Sequence, residues 1–222
     1  MAYVDFLSVI HKSTTRDYLA RVNDPEFPKA KAAEMAKKFD FDYWDGDRRI
    51  NYGGYKYDGR WAKVAKAMAD HYGIKAGDKI LDIGCGKGFL IYDFTQVVPG
   101  VEVRGIDISK YAVDNALEDV KGQIELGHAS SLPFDDNEFD LVFSINTFHN
   151  LHVYDLDPAL REMERVGKAH KYICVESYRN EVEKANLLYW QVTCEAFNTP
   201  EEWDWWFKQT GYSGDHSFIY FE

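Results

Sequence analysis

The stretch KILDIGCGKGFLIYDFTQVVPGVEVRGID occupies residues 79–107 and predicts a strand, a glycine turn, a helix and a second strand in direct succession. The first strand is the apolar run 79–83, which Asp82 interrupts near its carboxyl end. Three glycines follow, at positions 84, 86 and 88. Because glycine has no Cβ, such a turn can adopt positive φ angles and bring its backbone close to a ligand. The turn therefore predicts a ligand site at the carboxyl end of the first strand.

The helix and strand that follow complete a βαβ unit. Residues 89–98 are apolar enough for a helix packed on a sheet, and Pro99 ends it. The amino end of this helix directs unpaired backbone N–H groups toward the turn. Residues 101–106 predict a second buried, parallel strand, and Asp107 stands at its end, 19 residues after Gly88. A carboxylate in that position can accept hydrogen bonds from both hydroxyls of a ribose.

The spacing of the glycines argues against two common nucleotide-binding motifs. A dinucleotide fingerprint places its third glycine one residue later, where this chain has Phe89. A triphosphate-binding loop requires serine or threonine directly after its Gly-Lys pair, whereas Lys87 is followed by Gly88. The turn therefore disfavours NAD, FAD and nucleoside triphosphates as ligands.

The same residues resemble the first motif of the class I S-adenosylmethionine-dependent methyltransferases. Asp82 and the three glycines match that motif, and Asp107 matches the family's ribose-binding acid. A second match, SLPF at 131–134 followed by FDLV at 139–142, is similar to the family's loop into strand four. The resemblance implies a three-layer αβα doubly wound sheet, mostly parallel with an antiparallel C-terminal edge. It also implies S-adenosylmethionine as cofactor and S-adenosylhomocysteine as product, with no metal.

The resemblance assigns a cofactor site to particular positions. In the family, the turn after the third strand usually has an acid before its alanine, which accepts a hydrogen bond from the adenine amino group; this chain has His128 there. Neutral histidine can accept one bond through its bare ring nitrogen, and Ser130 or the backbone is the alternative. The residues predicted to bind the cofactor are Asp82, Gly84, Cys85, Gly86, Gly88, Asp107, Ile108, His128, Ala129, Ser130 and Asn146.

Polar residues after the fourth and fifth strands are candidates for contact with a methyl acceptor, because ligands of open α/β sheets bind outside the carboxyl ends of the strands. His149 is a candidate base or substrate clamp, since imidazole titrates near neutral pH, and a bond to a neighbouring loop is its structural alternative. Glu176 can accept a proton or instead pair with Arg179. The residues predicted for catalysis are His149, Glu176 and Tyr55. Those predicted to bind substrate are Tyr52, Arg60, His149, His152 and Tyr178.

The N-terminal part of the chain is predicted to cover this site. Residues 3–22 and 24–39 predict two helices. Residues 40–60 contain four glycines and five tyrosines or tryptophans without a helix or strand period, which predicts an ordered lid rather than a linker. The predicted division is a helical cap with an aromatic lid over residues 1–60, followed by the cofactor-binding domain over residues 61–222.

Charge and composition argue against several classes of protein. The net charge of −11 repels nucleic acid and anionic membrane surfaces, although a local patch of Arg48, Arg49, Lys56 and Arg60 can still meet a phosphate. The three cysteines have no metal-ligand spacing and indicate a reducing compartment. No stretch approaches 18 apolar residues. We therefore expect a cytoplasmic protein that binds neither nucleic acid nor membranes.

The expected function is methyl transfer from S-adenosylmethionine to the oxygen or nitrogen of a small polar metabolite, with a sugar or a sugar-derived precursor as one candidate. Such a reaction can be accelerated largely by holding the acceptor in line with the methyl group, so a strong catalytic constellation is not required. The alternatives are a methyltransferase of protein or peptide side chains, and a sensor that binds the cofactor without turning it over. We expect a monomer or homodimer, since exposed tryptophans within 203–206 would fit a dimer contact.

Overall fold

A six-stranded sheet forms the centre of the computed structural model, which describes residues 1–11 and 14–222. The strands pair in the order β3-β2-β1-β4-β5-β6, and all the pairs are parallel. The order reverses between β1 and β4, and a crevice opens there at the carboxyl ends of the strands. The strands are β1 (Lys79–Ile83), β2 (Glu102–Asp107), β3 (Ile124–Leu126), β4 (Phe139–Ile145), β5 (Gly167–Glu176) and β6 (Asp215–Ile219).

Helices cover both faces of this sheet, and further short helices lie in the chain before β1. The α-helices are α1 (Tyr18–Val22), α2 (Lys29–Ala36), α3 (Phe41–Trp44), α4 (Ala62–Tyr72), α5 (Phe89–Val97), α6 (Lys110–Asp114), α7 (Val153–Val166), α8 (Glu181–Trp190) and α9 (Pro200–Thr210). Short 3-10 helices lie at Leu7–Val9, Lys121–Gln123 and Phe148–Asn150.

The two faces of the sheet bury separate hydrophobic cores, because successive side chains of a strand point to opposite faces. Ile80 and its neighbour Leu81 in β1 are both fully buried, but they belong to different clusters. The Ile80 cluster contains the apolar faces of α4 and α5, and the Leu81 cluster contains those of α7 and α9. The predicted three-layer αβα doubly wound fold is confirmed.

The predicted antiparallel edge is wrong. β6 pairs with β5 in parallel register, from Tyr172 opposite Asp215 to Glu176 opposite Ile219. Between these two strands the chain runs through α8 and α9, and such a helical crossover returns it to the sheet in the same direction.

The N-terminal helices are much shorter than predicted. Lys12 and Ser13, within the first predicted helix, lie outside the described residues; in the rest of 3–22 only Leu7–Val9 and α1 are helical. The start of the chain instead meets the edge of the sheet, where the Val4 N–H donates to the His216 carbonyl at 2.9 Å. A side-chain turn delays the second helix to Lys29, because the Asp24 carboxylate accepts the N–H groups of the two residues that follow Pro25.

The tryptophans of α9 are placed differently from the expected exposed cluster. Trp203 is fully buried, and its indole N–H donates to the Glu176 carbonyl at 3.1 Å. Trp205 is 54% exposed on the outer face of the helix. The helix therefore fixes the end of β5 through one tryptophan and presents another to solvent.

Replacing Trp203 with alanine is expected to lower the free energy of unfolding by about 3–5 kcal/mol, because it leaves a cavity in the core and frees a buried carbonyl. Urea denaturation would measure the loss. The matched control is Trp205→Ala, for which we expect a change within about 0.5 kcal/mol. Equal losses in the two variants would contradict the core position of Trp203.

Candidate functional site

A cavity of about 330 Å³ lies at the point where the strand order reverses. The glycine turn after β1 and the loops after β2 and β3 line part of this cavity. The lid, residues 40–60, and the loops after β4 and α8 line most of the rest. The cavity wall thus combines the predicted cofactor turn with polar side chains of the loops after β4 and α8.

The glycine turn packs tightly between the lid and the loop after β4. Gly84 has a φ of 82°, and a Cβ there would collide with the Thr147 side chain. Gly86 has a φ of 55°, and a Cβ there would lie 2.9 Å from the Trp44 ring. Positive φ and close approach together explain why the turn requires glycine at these two positions.

Asp107 closes the turn from the end of β2. Its Oδ2 accepts the Gly86 N–H at 2.7 Å, and its Oδ1 accepts the Ser109 N–H at 2.8 Å. Burial raises the pKa of this carboxyl, and the two N–H donors oppose that rise. A carboxylate has about four acceptor positions, so both oxygens retain capacity for a pair of ligand hydroxyls.

The loop after β3 supplies His128 to the same cavity. Its Nδ1 lies 2.7 Å from the Ser130 hydroxyl and 3.2 Å from the Ser130 backbone nitrogen. The other ring nitrogen, Nε2, is left for a ligand, as a donor or as an acceptor according to the tautomer. His128 lines the cavity, whereas Ser130 does not.

The other residues predicted to bind the cofactor fall into two groups, those that line the cavity and those that do not. Gly88 lies outside the cavity wall, where it begins α5 with a φ of 77°. The wall of the cavity includes Asp82, Gly84, Cys85, Gly86, Asp107, Ile108, His128, Ala129 and Asn146.

Aromatic rings of the lid stack over the cavity. Trp44 and Tyr52 lie parallel, with ring centroids 5.4 Å apart and an interplanar angle of 7°. Tyr55 stacks on Phe89 of α5, with centroids 4.7 Å apart. Tyr52 and Tyr55 meet each other at 4.5 Å, so the stack runs from the lid to the first residue of the α5 helix.

A buried ion pair fastens this lid to the glycine turn. The Lys87 ammonium lies 2.6 Å from Asp45 Oδ2, and the Lys87 side chain is only 8% exposed. The same ammonium donates to the Tyr55 carbonyl, and Tyr111 donates its hydroxyl to Asp45. Hydrogen bonds from these donors lower the pKa of Asp45 although its burial acts in the opposite direction. The residue between two of the glycines thus holds the lid closed.

Two asparagines of the loop after β4 have buried amide oxygens without a hydrogen-bond partner among the described residues. They are Asn146, at the end of β4, and Asn150, and both line the cavity. Asn146 has a φ of 59°, a conformation that costs energy for a residue with a side chain. Unpartnered amides and a strained backbone are features that concentrate at binding sites.

His149 and Glu176 lie behind the cavity wall, which corrects the prediction that they face a methyl acceptor. Neither residue lines the cavity, and they are 2% and 5% exposed. His149 Nδ1 accepts the Glu176 N–H at 3.2 Å, and Nε2 lies 3.3 Å from the carboxyl Oε2. The 3-10 turn Phe148–Asn150 therefore directs the imidazole toward the end of β5, as in the structural alternative.

Burial determines the charge of this pair. It raises the pKa of Glu176 to about 8 and lowers the pKa of His149 to about 3. Gln191 donates a hydrogen bond to Oε1 of the carboxyl. Burial therefore favours the neutral form of each group, and the pair forms a polar support for the wall rather than an exposed base.

The structure brings some predicted substrate residues to the cavity and leaves others away from it. Tyr52 and His152 line it, and so does Tyr55, which was predicted for catalysis. Tyr178 is buried elsewhere, 7% exposed. Arg60 also lies outside the wall, where it pairs with Asp58 at 2.5 Å.

Several lining residues escaped sequence analysis. Glu195, in the loop after α8, forms an ion pair with Lys37 and lies 3.8 Å from His152 Nδ1. Thr193 also lines the cavity. Glu195 and Lys37 are separated by most of the chain and have no motif around them, so no sequence signal connects them. Trp44 is different, because it belongs to the aromatic stretch that predicted a lid.

In the described ranges 1–11 and 14–222, no group of three or more histidine, cysteine, aspartate or glutamate side chains could hold a metal ion. Over the same ranges, no helix has the length and apolar character needed to cross a membrane.

The family profile and the relatives to which this chain is similar are those of methyltransferases. The sequence profile of the family described as "Methyltransferase domain" matches residues 74–211, which include β1 to β5. Demethylmenaquinone methyltransferase of Staphylococcus carnosus is 30% identical over 192 residues, covering 80% of this chain and 77% of that protein. The solved structure of YcgJ from Bacillus subtilis is 27% identical, with a TM-score of 0.53 and a coverage of 66% of each chain.

Similarity to another relative is confined to a smaller region. An uncharacterised methyltransferase of Schizosaccharomyces pombe is 37% identical over 114 residues, which are 46% of this chain and 40% of that protein. This chain thus matches less than half of the length of that relative.

Replacing Glu176 with glutamine tests the neutral state of the buried pair. Because its pKa is raised in the folded protein, Glu176 holds its proton more tightly there than in the unfolded chain. This difference stabilises the fold fully below pH 4.5, and the stabilisation is lost as the pH rises through about 8. A glutamine stays neutral throughout. Denaturation at several pH values should therefore show the variant gaining about 3–5 kcal/mol on the wild type between pH 4.5 and 8.

His149 is present in both proteins, so its own titration largely cancels in this comparison. The control Glu181→Gln changes an exposed residue at the start of α8 and is expected to show no such trend. A pH-independent difference between Glu176→Gln and wild type would show that Glu176 is ionised in the fold.

Proposed function

The chain belongs to the class I S-adenosylmethionine-dependent methyltransferases, and from this premise we propose that it methylates an oxygen or nitrogen of a small polar metabolite, such as a sugar or a sugar-derived precursor. One observation carries the proposal. A single cavity is lined by the glycine turn and Asp107, by the aromatic lid, and by polar side chains of the loops after β4 and α8. These polar side chains are called the polar wall below. A cofactor and a small acceptor can then meet out of contact with bulk water, as methyl transfer by proximity requires.

The residues of the turn fit the cofactor that the family uses. Asp107 offers free acceptor positions on both oxygens for the ribose hydroxyls, and the glycines at 84 and 86 expose backbone to the cavity. Asp82 lines the same end, and His128 can donate to the adenine ring from Nε2. When bound, the cofactor supplies a methyl group on a positively charged sulfonium.

The lid is assigned to binding and to water exclusion. Tyr52 and Tyr55 line the cavity, and an aromatic face that meets a cationic sulfonium attracts it by about 0.5–2 kcal/mol. Burial raises the pKa of the Tyr55 hydroxyl far above neutral pH, so this residue does not serve as a base. Its predicted catalytic contribution is therefore redefined as enclosing the reacting groups.

The polar wall is assigned to the acceptor. The side chains of Asn146 and Asn150 line the cavity and can orient a hydroxyl or amine. His152 lies on the same wall, close to Glu195, and is assigned as the base for a hydroxyl acceptor. A neutral amine acceptor needs no such base. His149 and Glu176 are positioning residues in this assignment, because they hold the loop after β4 against β5.

A labelled-methyl screen tests this function directly. The chain is incubated with methyl-labelled S-adenosylmethionine and fractionated pools of small metabolites, and the label is followed into new products. Transfer into a small molecule is the expected result. Transfer only into added proteins or peptides would favour the alternative acceptor class. Tight cofactor binding with no labelled product from either source would favour a sensor.

Asp107→Ala should weaken S-adenosylmethionine binding at least tenfold, because two charge-assisted hydrogen bonds of about 1.5–3 kcal/mol each are removed. Titration calorimetry measures the affinity. Asp119→Ala, which changes an exposed aspartate in the connection between α6 and β3, is the control and should bind as wild type does. An unchanged affinity in Asp107→Ala would refute the ribose assignment.

Tyr55→Ala should reduce the rate of methyl transfer at least tenfold, because the aromatic cover of the cavity is opened to water. Rates are compared with melting temperatures in the same variants. Tyr57→Ala provides the control, since Tyr57 also contacts Phe89 but does not line the cavity. If Tyr55→Ala instead lowers the melting temperature and leaves the rate unchanged, the ring has only a packing role.

A further inference from the structure

A second cavity, of about 290 Å³, lies beside the first and is lined by three arginines. It is enclosed by α1, by the lid segment 48–51 and by residues 190–192 at the end of α8. The arginines are Arg21, Arg48 and Arg49. Their concentration in one cavity contrasts with the net charge of −11 of the whole chain.

Two of these arginines have guanidinium groups available to a ligand. Arg21 donates to the carbonyls of Arg49 and Ile50, and Arg48 donates to the carbonyl of Asn51. Within the part of the chain that the structure describes, neither forms an ion pair with a carboxylate. Each guanidinium has five N–H donors, so most donors of both groups remain unused.

Two carboxylates, Asp17 and Asp24, also line this cavity, and both have other partners. Arg49 is bound by Asp47 at 2.7 Å and has Asp24 at 3.8 Å. Asp24 also accepts backbone N–H groups in the turn before α2, and Asp17 accepts the N–H of Ala20 at the start of α1. The charges of Asp24 and Asp47 act on Arg21 and partly offset its positive charge, but neither acid forms an ion pair with Arg21 or Arg48 among the described residues.

The charges of Arg21 and Arg48 act on each other. Burial and the nearby Arg48 charge both lower the pKa of Arg21. An anion between the two groups would relieve this repulsion and could form paired hydrogen bonds to both. A phosphate monoester suits such a site better than a carboxylate, because it carries close to two negative charges at neutral pH and three terminal oxygens.

The second cavity adjoins the first at two places along the chain. Asn51 lines the second cavity and its neighbour Tyr52 lines the first. Val192 likewise lines the second cavity, and its neighbour Thr193 lines the first. Residues 51–52 and 192–193 therefore lie between the two cavities and contribute to the walls of both.

We propose that the second cavity binds the phosphate of a phosphate monoester through Arg21 and Arg48, and that this compound is the methyl acceptor. Its acceptor group would enter the first cavity past Tyr52 and Thr193. The inference rests on the proposed function, and it narrows the acceptor from a polar metabolite to a phosphorylated one.

Titration calorimetry of the full chain with inorganic phosphate, at constant ionic strength and without cofactor, tests the anion site. We expect saturable binding that weakens at least tenfold in Arg21→Gln and in Arg48→Gln. Arg161→Gln is the control, because Arg161 pairs with Asp157 on α7 and lines neither cavity. Arg48 is exposed, so its replacement should leave the fold intact. Absence of saturable binding, or equal affinity in the Arg48 variant and wild type, would overturn the site.

A phosphatase experiment separates an acceptor phosphate from a free anion. Metabolite pools are treated with active or heat-killed phosphatase, cleared of enzyme, and used in the labelled-methyl assay. The proposal predicts that active phosphatase removes the labelled product. Equal product from both pools would overturn the acceptor assignment and leave a separate anion site. If neither pool gives a labelled product, the acceptor assignment and the proposed function are both overturned. The phosphate titration would then still decide whether the second cavity binds phosphate.

Discussion

The hydrogen bond between the Gly86 N–H and the Asp107 carboxylate joins the two strand ends on which the site depends. It connects the turn after β1 to the end of β2 at 2.7 Å, and it fixes one oxygen of the acid that faces the cavity. The bond forms only because the turn approaches β2 closely, which the glycine conformation permits. Everything the cavity offers at its cofactor end follows from this contact.

The turn also controls the lid through Lys87. A lysine among the glycines would ordinarily extend into solvent, yet here its ammonium reaches Asp45 and the Tyr55 carbonyl. The pair is largely buried, so removing either partner would leave an uncompensated charge. The same turn thus shapes one part of the cavity wall directly and holds the aromatic lid that forms another part.

The placement of His149 shows where motif reasoning reaches its limit. Its position after β4 places it in a loop at the carboxyl edge of the sheet, where the cavity lies. A 3-10 turn then rotates the side chain away from the cavity and into contact with Glu176. Position along the chain identifies a loop, but the local backbone path determines which side chains of that loop reach a ligand. His152, three residues later, is the histidine that lines the cavity.

The sequence by itself determined the αβα sheet, the glycine turn and the acid after β2, because these depend on short stretches whose apolar runs and glycines have one physical interpretation. It also located the aromatic lid, since rings without a secondary-structure period still need a surface to pack on. The tertiary structure decided the direction of β6, the inward rotation of His149 and the contact of Glu195 with Lys37 and His152. It likewise assembled Arg21 and Arg48 into one cavity. Each of these depends on segments distant in the chain, whose meeting is set by packing of the whole fold and leaves no local pattern.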